Sequence, residues 1–182
     1  MKEIRWHGRG GQGVVIASRL LAAAFTREGK SAVALPKFGA ERRGAPVVSF
    51  TKVNDEPIRE KTQIYFPDCL IVIDPRLIRS IDVFAGLQQG GILVIDSPTK
   101  VIEQFHSNLC IIGSVDATKI ALTETAKHIT NTCMLGAFAR TTGWVKLESI
   151  LATLEEYFTG SGLQENIRCA QRGYQETQVT RF

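Results

Sequence analysis

Three short apolar runs in the middle of the chain place the strongest limit on its fold. They cover residues 69–73, 92–95 and 110–112. Each run is rich in β-branched residues and lacks the polar alternation of a strand with one wet face, which is typical of parallel strands covered on both faces. The chain has 182 residues and 44% of them are hydrophobic, enough to bury one ordinary core. The runs therefore predict an α/β protein built on a buried, mostly parallel sheet.

The first third of the chain alternates extended and helical patterns. A short strand at residues 4–7 leads into a glycine-rich turn and then into a helix that Gly29 ends. A second strand at residues 31–35 stops at Pro36, and a third begins at Val47. These elements predict a βαβ-like opening.

The remaining elements are mainly helical. Helices are predicted at residues 76–88, 118–128, 132–140, 147–158 and 163–175. No strand pattern follows residue 116. We therefore expect residues 1–182 to form a single Rossmann-like domain, with a mostly parallel sheet core at about 1–115 and a helical C-terminal part at about 116–182.

Charge and hydropathy disfavour a nucleic acid and a membrane as partners. The net charge is +4, but the basic residues are spread along the chain and form no basic tail. This favours a polyanionic small molecule or an acidic protein over a nucleic acid. The sequence has neither a signal-peptide pattern nor an apolar run long enough for a membrane span, so a cytoplasmic location without membrane contact is expected.

The cysteines and histidines predict neither a metal site nor a catalytic residue. No two of the four cysteines lie closer than 23 residues, so the chain has no CxxC knuckle and no ferredoxin-type cluster motif. Buried thiols are the favoured interpretation. The histidines are His7, His106 and His128, and none has a carboxylate or cysteine at ligand spacing.

A glycine motif between the first strand and the first helix is the first candidate site. It consists of Gly8, Arg9, Gly10, Gly11, Gln12 and Gly13. Glycines at this place allow a tight turn whose amides face an anion at the positive helix end. The alternative is that they only permit close packing of the helix on the strand or contact with the backbone of a partner. A nicotinamide site would also need an acidic residue after the second strand, where the sequence has Leu35, Pro36 and Lys37.

A second candidate motif follows the second strand. It includes Phe38, Gly39, Glu41, Arg42, Arg43 and Gly44. Loops at the carboxyl ends of strands gather at one edge of an α/β sheet, so this loop is expected beside the first motif. Two guanidinium groups there suit a phosphate-bearing ligand. Alternatively, Glu41 pairs with one arginine and the other is solvated.

Taken together, the segments 7–13, 38–46 and 131–137 resemble the gamma subunit of the 2-oxoacid (pyruvate and ketoisovalerate):ferredoxin oxidoreductases. The resemblance implies a complex that decarboxylates a 2-oxo acid on thiamine diphosphate, releases acyl-coenzyme A and CO2, and reduces ferredoxin. It also implies that alpha and beta subunits hold thiamine diphosphate with magnesium, and that beta and delta subunits hold the iron–sulfur clusters. The indolepyruvate oxidoreductase beta chain is similar in the same segments, so the 2-oxo acid stays open.

For this chain the resemblance implies a non-catalytic, structural subunit that binds no cofactor itself and shares in receiving coenzyme A. The two motifs, 8–13 and 38–44, then face either the coenzyme A phosphates or a neighbouring subunit. Two alternatives stay open. One is a free-standing Rossmann-like protein that binds a nucleotide or flavin, and the other is an assembly module without ligand contact.

Overall fold

The computed structural model describes residues 1–37, 44–101 and 105–182. Within these ranges seven strands form one sheet in the order β2-β3-β1-β4-β5-β6-β7. The strands are β1 (Lys2–Arg9), β2 (Ser31–Pro36), β3 (Pro46–Asn54), β4 (Cys69–Val72), β5 (Gly91–Asp96), β6 (Leu109–Val115) and β7 (Gln178–Arg181). The helices are α1 (Val14–Arg27), α2 (Ala117–Thr125), α3 (Asn131–Thr142), α4 (Leu147–Tyr157) and α5 (Gly160–Glu176).

The centre of the sheet is parallel. β1, β4, β5 and β6 pair in parallel, while β3 runs antiparallel between β1 and β2. β2 is therefore parallel to β1, with β3 inserted between them. Every residue of β4 and β5 is buried, in agreement with the unbroken apolar runs. The predicted α/β domain with a mostly parallel sheet is confirmed.

Two cores cover the two faces of the sheet. On one face the helices of the described chain pack together, with α1 against β1 to β3 and α3 against β5 and β6. On the other face Leu70, Val72, Leu93 and Ile95 lie under irregular segments and a short 3₁₀ helix rather than under α-helices. No helix in the described part of the chain combines the length and apolar character that a bilayer crossing needs.

The helix predicted at residues 76–88 is wrong. The structure has only a short 3₁₀ helix, Pro75–Arg79, followed by turns. The guanidinium of Arg5 explains the difference, because its Nη2 donates to the carbonyls of Val83 at 2.9 Å and Ala85 at 2.7 Å. These carbonyls are satisfied by a side chain from the sheet and need no helical partner.

The C-terminal part is not entirely helical as predicted. After α5 the chain adds β7 (Gln178–Arg181), which pairs antiparallel with β6 at the edge of the sheet. Its four residues show no alternation of apolar and polar side chains. Such a short edge strand is held by backbone pairing to its neighbour and does not need that pattern. Sequence periodicity therefore gave no sign of it.

Candidate functional site

The first glycine motif forms the turn between β1 and α1. Gly11 and Gly13 both have positive φ, 95° and 75°. The side chain of Gln12 closes the turn, since its Oε1 accepts the backbone N–H of Arg9 at 2.6 Å. Gly13 is the N-cap of α1 and no side chain caps this helix end in the described structure. The turn thus ends at a positive helix terminus without a protein anion on its cap.

Gly8, Gly11 and Gly13 have different surroundings. A Cβ on Gly8 would lie 2.5 Å from Cγ2 of Val14, and a Cβ on Gly13 would lie 2.5 Å from Nδ2 of Asn131. Both positions need glycine for close packing. A Cβ on Gly11 would meet nothing within 4 Å. The predicted packing of the helix on the strand therefore accounts for Gly8, whereas Gly13 packs against Asn131 of α3 and the space beside Gly11 is open.

The end of the second motif lies directly against the first. Gly10 donates its N–H to the carbonyl of Ala45 at 2.9 Å, and Gly44 donates to the carbonyl of Gly10 at 3.2 Å. Nη1 of Arg9 also donates to the carbonyl of Gly44 at 3.1 Å. The other candidates of this motif lie outside the described residues; they are Phe38, Gly39, Glu41, Arg42 and Arg43.

Asp74, which follows β4, is an ionic partner of the turn. Its Oδ2 accepts from Nε of Arg9 and from Nη2 of Arg76, both at 2.8 Å. The carboxylate is 2% exposed, and its hydrogen bonds to Arg76 lower its pKa. Asp74 therefore stays charged and partly neutralises both arginines. Sequence reasoning did not select it, although an acidic residue at the carboxyl end of a central strand was a usable signal.

A cleft of about 510 Å³ opens beside the turn at the carboxyl ends of the parallel strands. Its lining residues come from the ends of β1, β4, β5 and β6 and from the segment before α3, and they are Gln12, Ile73, Asp74, Pro75, Arg76, Asp96, Pro98, Asp116, Thr118, His128 and Thr130. In the sheet, β2 lies on one side of β1 and β4 lies on the other, so the chain changes direction across the sheet after β1. The cleft thus lies at the switch point where open α/β sheets bind ligands.

The far wall of the cleft carries two further carboxylates. Asp96 accepts from the hydroxyl of Thr118 at 2.7 Å and from its N–H at 3.3 Å, and burial raises the pKa of Asp96. Asp116 caps α2 by accepting the N–H of Lys119 at 3.0 Å. Because two carboxylates already occupy the N-terminus of α2, an anionic ligand fits the α1 side of the cleft better.

His7 lies within β1, away from the cleft lining. Its Nε2 accepts from Nε of Arg5 at 3.1 Å, and its Nδ1 is buried without a partner among the described residues. Burial, together with the smaller effect of the charge of Arg5, lowers the pKa of His7 to about 3. The imidazole is therefore neutral at physiological pH.

The cysteines are free thiols, and most of them are buried. Cys69, Cys133 and Cys169 are buried and Cys110 is half-buried, and all four are free. Burial raises the pKa of Cys169 to about 11 and raises that of Cys133 as well. Within the described ranges no group of three or more His, Cys, Asp or Glu side chains is placed to hold a metal ion.

Comparison with known proteins covers nearly the whole chain. The family model described as pyruvate ferredoxin/flavodoxin oxidoreductase matches residues 3–176. The chain is 50% identical to the gamma subunit of the NADH-dependent phenylglyoxylate dehydrogenase of Aromatoleum evansii, over 98% of this chain and 95% of the relative. It is 48% identical to the common gamma subunit of the pyruvate/ketoisovalerate oxidoreductases of Thermococcus kodakarensis, over 98% of both chains.

A solved structure gives the same result for the fold. The pyruvate oxidoreductase subunit PORC of Thermotoga maritima superimposes with a TM-score of 0.84 and is 38% identical. The match covers 98% of each chain. The whole architecture is therefore shared.

Proposed function

Because the chain belongs to the pyruvate ferredoxin/flavodoxin oxidoreductase family as a gamma subunit, we propose that it works in a complex that oxidatively decarboxylates a 2-oxo acid to acyl-coenzyme A and CO2. In this proposal the chain is a non-catalytic subunit. Thiamine diphosphate, magnesium and iron–sulfur clusters belong to alpha, beta and delta subunits, and ferredoxin accepts the electrons. The wide spacing of the four cysteines supports placing the clusters on other subunits.

One structural observation supports a role in receiving coenzyme A. The open turn at Gly11 lies at an uncapped helix end, beside the strand that begins after the second motif. Backbone amides at such an end bind phosphate oxygens. Asp74 neutralises only one of the two charges of Arg9 and Arg76, so this group keeps a net positive charge, to which the turn amides and, in this proposal, Arg42 and Arg43 add.

Gln12 has a defined part in this site. Its carbonyl oxygen is committed to the N–H of Arg9, which leaves its amide group as a donor in the lining of the cleft. It therefore holds the turn in shape and adds a neutral donor beside the helix end. The negative wall formed by Asp96 and Asp116 keeps phosphates on the Gln12 side.

We assign the choice of 2-oxo acid to the partner subunits. Gamma subunits named for phenylglyoxylate and for pyruvate or ketoisovalerate oxidation are almost equally similar to this chain, at 50% and 48% identity. A chain that formed the acid pocket would be expected to differ more between an aryl and an alkyl acid. The alternative of a free-standing nucleotide- or flavin-binding protein gains no support from these relatives, which are all subunits.

The proposal is tested by anaerobic affinity purification of the tagged chain from its native host. The eluate is assayed for coenzyme A-dependent viologen reduction with pyruvate, 2-oxoglutarate, branched-chain and aryl 2-oxo acids. We expect thiamine- and cluster-bearing subunits to co-purify with activity toward at least one acid. A chain that elutes alone and inactive from a gentle preparation, or with a bound flavin or nicotinamide, would overturn the proposal.

A further inference from the structure

Residues 131–137 form the third segment of the family resemblance, and the proposed function gives them no role. They are the first half of α3, which packs closely on α5. A Cβ on Gly136 would overlap the carbonyl oxygen of Ala170 on α5, so close helix packing explains this glycine. It does not explain the polar residues at the amino end of α3, Thr130 and Asn131.

The amino end of α3 lies in the cleft, directly beside that of α1. Thr130, the N-cap of α3, is one of the residues that line the cleft. Nδ2 of Asn131 donates to the carbonyl of Gly13, the N-cap of α1, at 3.4 Å. Each helix amino end carries a partial positive charge. Two such ends therefore meet at one wall of the cleft.

The first turn of α3 contains no acidic residue, and Thr130 makes no capping hydrogen bond. The backbone of Thr130 is close to helical, with φ −96° and ψ 0°, whereas a side chain caps a helix from an extended N-cap residue. The Thr130 hydroxyl is therefore not used by the amides of its own helix. It stays available to another group.

The Thr130 hydroxyl is a second, independent sign of a ligand at this place. Thr130 is only 4% exposed, and its side-chain oxygen has no hydrogen-bond partner among the described residues. The oxygen is nevertheless reachable from the cleft, because within the same ranges only Nδ1 of His7 is both sealed from solvent and unpaired. A hydroxyl buried to this extent is normally hydrogen-bonded, so an acceptor that entered the cleft would satisfy it.

The donors at this wall suit a phosphoryl group. They are the Thr130 hydroxyl, the side-chain amide of Gln12 and the backbone amides at the amino ends of α1 and α3. Asp96 and Asp116 line the same cleft, but their carboxylates accept hydrogen bonds from the first turn of α2, on the far wall. An anion is therefore favoured on the side of α1 and α3.

We propose that Thr130 and the amino end of α3 form a second phosphate subsite in the cleft, apart from the Gly11 turn. This inference rests on the proposed function, in which the ligand is coenzyme A. Coenzyme A carries a diphosphate and a separate phosphate monoester on its ribose, so it can occupy both places at once. Thr130 donates its hydroxyl hydrogen to a phosphate oxygen, and Asn131 is a positioning residue that holds the two helix ends together.

The test compares three variants in the assembled enzyme. Thr130→Val removes the hydroxyl and keeps the shape of the side chain, whereas Thr130→Ser keeps the hydroxyl. Thr141→Val is the matched control, because it removes an equally buried hydroxyl at the other end of α3, where the partner is the carbonyl of Ala137. Thermal unfolding of the isolated chains checks that all three variants are folded.

The readout is kcat/KM for coenzyme A divided by kcat/KM for pantetheine, a thiol acceptor without phosphate. We expect Thr130→Val to lower this ratio about tenfold, since it loses a hydrogen bond to a charged group. Thr130→Ser and Thr141→Val should keep the wild-type ratio, because a purely structural defect affects both acceptors alike. An unchanged ratio in a folded, assembled Thr130→Val enzyme would mean that the hydroxyl is only hydrated, and the inference would fail while the proposed function stands.

The analogue 3′-dephospho-coenzyme A identifies the phosphate that is bound. If the Thr130→Val effect persists with this analogue, the subsite takes the diphosphate. If the effect disappears, the subsite takes the ribose monoester. Either result supports the inference.

Calorimetry of the isolated chain with inorganic pyrophosphate separates the subsite from the proposed function. Weaker binding by Thr130→Val than by the wild type and Thr141→Val would support the subsite. It would do so even if the purified complex used no coenzyme A, in which case the proposed function alone would fail. Equal binding of pyrophosphate by the wild type and Thr130→Val would overturn the subsite.

Discussion

Arg5 donates its Nε–H to Nε2 of His7 at 3.1 Å, so the neutral imidazole carries its own proton on Nδ1. The pKa of His7 is lowered to about 3 from an ordinary value of 6.5. Between these values the unfolded chain binds a proton that the folded chain does not, so stability falls as the pH falls below 6.5. At pH 5 we expect His7 to account for a loss of roughly 2 kcal/mol in the free energy of unfolding.

Urea unfolding between pH 5 and 8 measures this loss. The variant His7→Gln removes the titration but keeps a side-chain oxygen to accept from Arg5, so its stability should depend less on pH than that of the wild type. His128→Gln, which removes an exposed imidazole, is the control and should retain the wild-type slope. Equal slopes for the wild type and His7→Gln would show that His7 is not the titrating group.

The glycine turn offers a way to separate packing from ligand contact. Gly13→Ala places a Cβ against Asn131 in a left-handed conformation, so we expect a loss of about 1–3 kcal/mol in the free energy of unfolding. Gly11→Ala meets open space and should cost only about 1 kcal/mol, from its positive φ. If the turn faces coenzyme A, Gly11→Ala should nevertheless raise the KM for coenzyme A in the assembled enzyme.

Denaturant unfolding of the isolated chains and steady-state kinetics of the complexes give the two readouts. Asn131→Ala in the Gly13→Ala background serves as the control, because removing the amide should restore part of the lost stability. A Gly11→Ala enzyme with the wild-type KM for coenzyme A would leave the turn with a structural role alone.

The parts of this fold that could be predicted depend on local patterns. The buried strands β4 and β5 could be predicted from the sequence, because a strand covered on both faces needs apolar residues at every position. The turns at residues 80–90 could not be predicted, since their carbonyls are satisfied by Arg5, which is 78 residues from Val83 in sequence. The same limit applies to the site. The glycine motif is contiguous, but the ion pair of Arg9 and Asp74 joins residues 65 positions apart.

Asp96 should tolerate the loss of its charge. Burial raises its pKa above that in the unfolded chain, so the ionisation of Asp96 lowers the stability of the fold as the pH rises from the unfolded-state pKa to the folded-state pKa. Asn at this position can accept the N–H of Thr118 and donate to its hydroxyl. We therefore expect Asp96→Asn to be at least as stable as the wild type at pH 7, with a smaller advantage at pH 4.

Thermal unfolding at the two pH values tests this expectation. Asp96→Ala is the matched comparison, since it leaves the hydroxyl and N–H of Thr118 without their acceptor and should lose about 1–3 kcal/mol. An Asp96→Asn chain that is much less stable than the wild type at pH 7 would mean that the charge itself is needed for folding.

Substitution of Arg42 and Arg43 tests the proposed coenzyme A contact most directly. In the assembled enzyme we expect the double substitution Arg42→Ala, Arg43→Ala to raise the KM for coenzyme A by at least about tenfold, because charge-assisted bonds to phosphate contribute on the order of 1.5–3 kcal/mol each. The KM for the 2-oxo acid should stay near the wild-type value, since the proposed function assigns the acid pocket to other subunits. The double substitution Arg59→Ala, Lys61→Ala removes the same charge from an exposed segment and is the control.

Rising ionic strength should weaken coenzyme A binding by the wild type more than by the arginine variant. An unchanged KM for coenzyme A in a fully assembled Arg42, Arg43 variant would mean that these arginines do not contact its phosphates.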